Sequence, residues 1–219
     1  MPRVFGVDSG GMPPLIENPR FARFFAKHAL RNERRGNAVL RAEMLAGLTG
    51  EVAEIGAGTG LNLRHYPAAV TRILAVEPEP TMRVRLAQAA NERVELVDAV
   101  AEDLPFGDAS VDAVVISAVL CSIGDAPRAL AEVRRVLKPG GEVRFYEHVR
   151  ARARLHGRFQ DLVAPLWGRM MGGCRPNSDT LELFRANGFV IERWREFVFP
   201  AGVLVPVVGP RILGMATVA

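Results

Sequence analysis

The sequence predicts an α/β fold in which a doubly wound, seven-stranded mixed sheet carries helices on both faces. Short apolar segments alternate with amphipathic ones from residue 51 onward, as strands alternate with crossover helices. The run at 111–119, VDAVVISAV, is of the apolar kind that parallel sheets bury on both faces. A glycine-rich turn at 56–60 follows the first predicted strand. We therefore expect mainly parallel strands joined by right-handed crossovers.

The N-terminal region, residues 1–34, is predicted to be an arm followed by a lid helix. Residues 1–18 are rich in Gly and Pro, which is typical of a poorly ordered segment. Asn18 can cap a helix that has Pro19 at its first position. The apolar face of this helix carries residues at helical spacing, namely Phe21, Phe24, Phe25 and His28. We interpret His28 as a packing or surface histidine, and we expect the helix to fold over the functional site.

The main domain, residues 35–219, is predicted to begin with a helical segment and to continue with seven strands. The strands are expected at 51–55, 72–76, 94–97, 111–119, 142–149, 189–199 and 212–218. Helices are expected at 35–48, directly after the glycine turn, and at 81–91, 127–137, 155–171 and 178–187. The last two strands lack a clear intervening helix, so we expect an antiparallel pair at one sheet edge. The insert 150–188 is predicted to cap the substrate site.

Composition and charge exclude several classes of protein. Of the 219 residues, 49% are hydrophobic and 24% charged, which is enough for a core and excludes a disordered chain. The net charge of +4 is spread along the chain, so we expect a solvated surface and no nucleic-acid partner. The two cysteines, Cys121 and Cys174, are too few for a disulfide scaffold or a multi-cysteine zinc site. We therefore predict no metal site and a reducing, cytoplasmic location.

No segment of the sequence is predicted to insert stably in a membrane. The N-terminus lacks the apolar run of a signal peptide. The apolar stretch at 197–209 is too short to span a bilayer and is interrupted by Pro200 and Pro206. We interpret it as a core strand followed by a proline-rich loop, and the alternative is a hydrophobic lip for an apolar substrate.

The glycine turn, EIGAGTG at 54–60, indicates the kind of cofactor. Ligands of open α/β sheets bind at the carboxyl ends of the strands, where glycines let the backbone approach them closely. A dinucleotide-binding fingerprint needs a third glycine where this chain has Leu61, and the carboxylate of Glu54 would repel a pyrophosphate. The ammonium and sulfonium groups of S-adenosylmethionine are positive instead. The turn therefore favours S-adenosylmethionine over a nicotinamide dinucleotide.

From about residue 35 to residue 219, the sequence resembles the class I S-adenosylmethionine-dependent methyltransferases, whose fold is Rossmann-like. The matching motifs are EIGAGTG (54–60), AVEP (75–78), AEDLPF (101–106), VDAVVISAVLCS (111–122) and EVRRVLKPGGEVRF (132–145).

Within that class the chain is most similar to the alkyl-thiol methyltransferases. The residues that carry this similarity are HYP (65–67), VLCS (119–122), EHV (147–149) and, in the C-terminal part, Gln160, Pro165-Leu166-Trp167, Gly173-Cys174 and Gly214. The ubiquinone and menaquinone C-methyltransferases share the first motifs but match this part less well. The related thiol enzymes of animal cells carry a hydrophobic N-terminal anchor that this sequence lacks.

The resemblance implies a binding site for the methionyl and ribose parts of the cofactor. Gly56, Gly58 and Gly60 would line the methionyl part, with Glu54 near its ammonium and Asn62 just inside the following helix. Glu77, at the end of the second strand, would accept hydrogen bonds from the ribose hydroxyls, as acidic residues do at this position of such sheets.

The resemblance also implies contacts for the adenine and the sulfonium. Pro78 and Met82 would flank the adenine face. Ala101 through its backbone, and Glu102 through its carboxylate, would meet the adenine edge. Ser117, at the end of the fourth strand, would lie beside the sulfonium.

The candidates for catalysis follow the fourth and fifth strands. Methyl transfer from a sulfonium mainly requires alignment and exclusion of water, and a base is needed only when the nucleophile carries a proton. We interpret His148 as the base or as a histidine of the pocket wall, and Glu147 as the second candidate base. Because direct transfer needs no enzyme nucleophile, Cys121 and Cys174 are interpreted as small buried hydrophobic residues.

The predicted reaction is methyl transfer to a small apolar acceptor, in particular a thiol. A thiol has a pKa of about 8.5, so an appreciable fraction is already thiolate at neutral pH and only a weak base is needed. C- or O-methylation of a quinone or phenolic metabolite is the alternative. A nicotinamide-dependent oxidoreductase and a non-catalytic cofactor-binding module are competing hypotheses from other classes.

Overall fold

The computed structural model describes residues 18–199 and 207–219. In these residues seven strands form one sheet in the order β3-β2-β1-β4-β5-β7-β6. Strand β7 is antiparallel to both of its neighbours, and the other pairs are parallel. The predicted seven-stranded mixed sheet is confirmed. Its strands are β1 (Gly50–Ile55), β2 (Val70–Val76), β3 (Val94–Val97), β4 (Val111–Ser117), β5 (Leu137–His148), β6 (Phe189–Val198) and β7 (Pro210–Val218).

Helices cover both faces of the sheet, as predicted. They are α1 (Pro19–Asn32), α2 (Ala38–Leu45), α3 (Pro80–Ala89), α4 (Ala126–Val136), α5 (Arg154–Met170) and α6 (Thr180–Ala186). On one face, Leu45 and Leu86 of α2 and α3 pack in one apolar cluster with Val115. On the other face, Leu130 and Phe184 of α4 and α6 belong to a second cluster. The central strands are therefore buried from both sides.

The lid helix begins where its capping residue predicts. The Asn18 side chain accepts a hydrogen bond from the Phe21 N–H at 3.1 Å, and Pro19 holds the first helical position. The helix is followed by a kinked turn at Glu33–Asn37, in which Gly36 has a non-helical φ of 110°. This kink separates α1 from α2. The domain boundary predicted between residues 34 and 35 falls in this turn and stays a prediction.

The helix expected directly after the glycine turn is not formed. The chain makes only a short 3₁₀ turn, Leu63–His65, after which Tyr66 is extended with a ψ of 131°. Pro67 explains the difference, because a proline disfavours the helical conformation at the residue before it. Asn62 consequently precedes this 3₁₀ turn instead of lying inside an α-helix.

Two predictions concern residues outside the described part of the chain. The N-terminal arm, apart from Asn18, lies there, and so does most of the apolar stretch 197–209. Among the residues that the structure describes, no helix combines the length and the hydropathy needed to cross a bilayer.

Candidate functional site

The glycine turn lies between β1 and the lid helix. Gly56 has a φ of 65° and packs so closely on Val119 that a Cβ atom there would lie 2.4 Å from a methyl carbon of that side chain. Gly58 has a φ of 59°, and a Cβ atom there would make ordinary van der Waals contacts, at 3.9–4.0 Å, with Met82, the Phe25 ring and its own loop. Gly56 is therefore required by close packing, whereas Gly58 is favoured by its left-handed backbone, at a point of the loop between α1 and α3.

Glu77 follows β2 and lies beside Gly58. Its carboxylate accepts hydrogen bonds from the N–H of Gly58 at 2.8 Å and from the N–H of Glu79 at 2.9 Å. The side chain is buried, and burial raises the pKa of this carboxyl above its usual value. Glu77, which is predicted to bind the ribose, therefore directly contacts Gly58 of the loop that is predicted to bind the methionyl part of the cofactor.

Glu54 lies behind the glycine turn in a buried polar network. Its two carboxylate oxygens accept hydrogen bonds from the Asn62 amide at 2.7 Å and the Tyr66 hydroxyl at 2.9 Å. Arg41 in turn donates to Asn62 at 2.5 Å. In this structure Glu54 and Asn62 therefore anchor the turn that follows β1 (a positioning role). Their direct contact with the cofactor stays a prediction.

The Glu54 network makes the stability of the fold depend on pH in a specific direction. Burial raises the pKa of Glu54 from 4.5 to about 7, against the lowering effect of its hydrogen bonds. A carboxyl whose pKa is raised by folding stabilises the fold most at pH values below its unfolded pKa, and this contribution is lost as the pH rises through the folded pKa. Between pH 5 and 8 we expect the Glu54→Gln variant to gain on the order of 2–3 kcal/mol in free energy of unfolding relative to the parent chain.

Urea unfolding at the two pH values measures this difference. Glu43→Gln is the matched control, since Arg195 lowers the pKa of the Glu43 carboxyl. The same pH dependence in both variants would contradict the assignment to Glu54.

The predicted adenine contacts surround the carboxyl ends of β2 and β3. Met82 is buried in the first turn of α3, where its N–H donates to Glu79 at 2.7 Å, and Pro78 is half-buried beside it. Ala101 is buried, and the half-buried Glu102 accepts a hydrogen bond from the N–H of Asp125 at 3.2 Å. These residues flank one region of the sheet edge, and their contacts with adenine stay predictions.

Glu147 supports the turn that follows β4. Ser117 ends that strand, and Ala118 takes the left-handed conformation with a φ of 58°. One Glu147 oxygen accepts hydrogen bonds from the N–H groups of Val119 at 2.8 Å and Leu120 at 3.2 Å. Burial raises the pKa of Glu147 to about 7. The geometry favours a positioning role for this fully buried carboxyl over the predicted role as base.

His148 lies beside both cysteines at the carboxyl edge of the sheet. Its Nδ1 atom is 3.6 Å from the Cys121 sulfur and 3.9 Å from the Cys174 sulfur, and the two sulfurs are 3.5 Å apart. The cysteines are buried and unbridged, while His148 is half-buried. Burial lowers the pKa of His148, and the contact with Cys121 lowers the pKa of Cys174.

This cluster was not predicted from the sequence, although the positions of Cys121 and His148 along the chain could have indicated their proximity. Cys121 follows β4, His148 ends β5, and Cys174 follows α5. Ends of parallel strands meet at one sheet edge, which places the first two together. The approach of Cys174 depends on tertiary contacts that periodicity does not predict.

Those contacts fasten the segment after α5 to the loop after β4. The N–H of Arg175 donates to the Cys121 carbonyl at 2.7 Å, and its guanidinium donates to the Ile123 carbonyl at 2.5 Å. The buried Gln160 amide accepts from the N–H of Ala151 at 2.7 Å and donates to the Pro176 carbonyl at 3.1 Å. The insert is thereby held over the ends of β4 and β5.

The lid helix and the insert meet above the glycine turn. The Phe25 ring lies beside Gly58, and the Phe21 ring packs on Gly172 closely enough that a Cβ atom there would lie 2.9 Å away. His28 is exposed and contacts the Phe24 ring in a tilted arrangement with ring centroids 4.1 Å apart, in keeping with a surface histidine. This arrangement supports the interpretation of α1 as a lid.

The residues present fit S-adenosylmethionine, the cofactor that the sequence predicts. No side chain crowds the backbone at Gly58, and the carboxylate of Glu77 beside it is an acceptor for hydroxyl groups. The turn has Leu61 in place of the third glycine of a dinucleotide site.

Comparisons with known proteins identify the family of this chain. A family model described as a methyltransferase domain matches residues 53–145. The chain is 35% identical over 185 residues to the thiol S-methyltransferase TMT1B of Homo sapiens, covering 78% of this chain and 73% of the relative. It is 38% identical over 108 residues to the demethylmenaquinone methyltransferase of Clavibacter sepedonicus, covering 48% of this chain and 44% of that one.

A solved structure shows the same fold. It is an S-adenosylmethionine-dependent methyltransferase of Thermotoga maritima, described as a possible histamine N-methyltransferase, with a TM-score of 0.66 and 22% identity over 91% of this chain and 99% of that chain. The resemblance inferred from the motifs is confirmed. The chain belongs to the S-adenosylmethionine-dependent methyltransferases, in the family that contains the thiol S-methyltransferase TMT1B.

Proposed function

We propose that this enzyme transfers the methyl group of S-adenosylmethionine to the sulfur of a small apolar thiol. The observation that carries the proposal is the Cys121–His148–Cys174 cluster at the carboxyl edge of β4 and β5. Ser117, the predicted neighbour of the sulfonium, ends β4 at the same edge and pairs with Tyr146 of β5. The relationship to TMT1B, a thiol S-methyltransferase, supports the same acceptor class.

In this proposal the residues of the chain bind and orient the two reactants. When bound, S-adenosylmethionine supplies a methyl group attached to a positively charged sulfur, which is an excellent leaving group. Glu77 holds the ribose, while the glycine loop that it contacts at Gly58 binds the methionyl part. The lid residue Phe25 limits the access of water, so that the acceptor sulfur and the methyl carbon meet in a fixed geometry.

The acceptor thiol must also lose its proton. The predicted proton acceptor is His148, the half-buried member of the cluster. Glu147 acts indirectly, because its carboxylate holds the backbone of Val119 and Leu120 and so fixes the loop that carries Cys121.

An acceptor screen with methyl-labelled S-adenosylmethionine tests the substrate class. We expect simple alkyl thiols to be methylated at least tenfold faster than phenols or demethylated quinones. The Glu77→Ala variant serves as the control for methylation that does not need a bound cofactor. Faster turnover of quinones or phenols would contradict the thiol assignment, and cofactor binding without any product would indicate a binding module.

We also propose a small-molecule metabolic role in the cytoplasm. The chain has only two cysteines, too few for a disulfide scaffold, which suits a reducing compartment.

A further inference from the structure

The Cys121–His148–Cys174 cluster has the dimensions of a metal-binding site. Its three ligand-type atoms all lie within 4.8 Å of one another, and within the described part of the chain no fourth His, Cys or carboxylate joins them. The separations are 3.5 Å between the sulfurs, and 3.6 Å and 3.9 Å from the His148 Nδ1 to the two sulfurs.

These separations match one face of a tetrahedral zinc site. With zinc–sulfur and zinc–nitrogen bonds of about 2.3 Å and 2.0–2.1 Å, a tetrahedron places two sulfurs about 3.8 Å apart and a sulfur and a nitrogen about 3.6 Å apart. The three atoms of the cluster therefore need to move by only a few tenths of an ångström to share one ion. A disulfide, by contrast, would require the sulfurs to approach to about 2.05 Å.

We propose that Cys121, His148 and Cys174 bind a zinc ion whose fourth position is open to the acceptor thiol. Three protein ligands with one open position are typical of catalytic zinc, and two cysteines with one histidine are an attested set. The sequence analysis predicted no metal site, because two cysteines alone do not make one. The fold supplies the third ligand.

The location of the cluster gives the ion a function in the proposed reaction, and this part rests on the thiol acceptor proposed above. Zinc binding would lower the pKa of the acceptor thiol, whose proton would leave to solvent as its sulfur binds the metal. The acceptor sulfur would then form a bond to the methyl carbon while the bond from that carbon to the sulfonium breaks. The products are a methyl thioether and S-adenosylhomocysteine. In the zinc-bound form the metal would replace the base that is proposed above for the metal-free chain, and His148 would be a ligand.

The surroundings of the cluster hold its ligands in place before any ion binds. The Arg175 N–H donates to the carbonyl of Cys121, so the two cysteine-bearing segments are joined directly beside the sulfurs. His148 ends a strand that pairs with β7, opposite Arg211. Side chains that are already held in position lose less conformational entropy when the metal ion binds.

Cobalt(II) titration of the reduced full-length chain tests the site without measuring activity. We expect one equivalent to bind with intense visible bands of a tetrahedral site and a near-ultraviolet sulfur-to-cobalt charge-transfer band, and we expect zinc to displace it. The Cys121→Ser, Cys174→Ser and His148→Gln variants should each lose at least tenfold in affinity. His28→Gln, which changes an exposed histidine on α1, is the matched control and should bind as the parent chain does.

Thermal melting and calorimetry with S-adenosylmethionine identify any variant that fails to fold. If a cysteine variant is unfolded, the cobalt affinity of the folded His148→Gln variant, measured from its spectrum, decides the question. A folded Cys121→Ser or Cys174→Ser chain that keeps both the parent affinity and the full charge-transfer intensity would overturn the site, and so would weak bands typical of octahedral cobalt. Loss of free thiols through a Cys121–Cys174 disulfide, with no metal bound after reduction, would also overturn it.

The open position is tested by adding a small alkyl thiol to the cobalt form. We expect the charge-transfer absorbance to rise as a third sulfur binds, and an unchanged spectrum would contradict acceptor binding at the metal. Turnover by the metal-depleted enzyme at the parent rate would overturn the catalytic role of the ion while leaving thiol methylation intact. Conversely, a failed thiol screen would leave the cobalt spectrum unaffected, so the two proposals fail separately.

Discussion

The Glu77→Ala variant is expected to bind S-adenosylmethionine about a hundredfold more weakly than the parent chain. A hydrogen bond to a charged group is worth about 1.5–3 kcal/mol, and the Glu77 carboxylate is the predicted acceptor for the ribose hydroxyls. The same carboxylate binds the N–H groups of Gly58 and Glu79, so its loss also loosens the loop beside the ligand. Isothermal titration calorimetry measures the change.

Glu95→Ala is the matched control, because this carboxylate lies on the neighbouring strand β3 and pairs with Arg72. Its removal should leave the affinity within about twofold, as expected for a partly exposed ion pair. Equal affinities of the parent and the Glu77→Ala chain would show that this carboxylate does not bind the ribose.

Substitution of Gly56 by alanine is expected to destabilise the fold by about 2–5 kcal/mol. The left-handed backbone costs an alanine about 1–2 kcal/mol, and overpacking against Val119 adds about 1–3 kcal/mol. The clash is with the side chain of Val119, whose methyl carbon would lie 2.4 Å from the new Cβ atom. Urea unfolding at neutral pH measures the loss.

Two further variants separate the backbone cost from the packing cost. Gly47 has a φ of 80° and no atom near the position of a Cβ, so Gly47→Ala should show the backbone cost alone. Adding Val119→Ala to Gly56→Ala should recover the packing part, as a double-mutant cycle with the single Val119→Ala variant reveals. Strictly additive losses in that cycle would contradict the proposed clash.

The fold was largely predictable because buried and exposed residues recur along the chain at the spacing of strands and helices. The strand predicted at 94–97 matches β3, and the apolar run at 111–119 contains β4 (Val111–Ser117), since parallel strands buried on both faces read as continuous apolar segments. The helix expected after the glycine turn was wrong, because the effect of Pro67 on Tyr66 outweighed the usual strand–turn–helix order.

The binding loop was predictable from residue types, but the partners of its acidic residues were not. Glu54 and Glu77 were both expected to face the cofactor. The structure instead pairs Glu54 with Asn62 and Tyr66 behind the loop, while Glu77 contacts Gly58 directly. Hydrogen-bond partners depend on side-chain directions, which spacing along the chain does not specify.

The sequence by itself determined the α/β class, the strand positions and the glycine turn with its acidic neighbours, because these follow from local periodicity and residue chemistry. Only the tertiary structure decided that Cys121 and Cys174, which are 53 positions apart, meet each other at His148. That meeting depends on the Gln160 and Arg175 hydrogen bonds that fasten the insert to the sheet edge. Contacts between distant segments form when packing orients whole elements, and no local pattern encodes them.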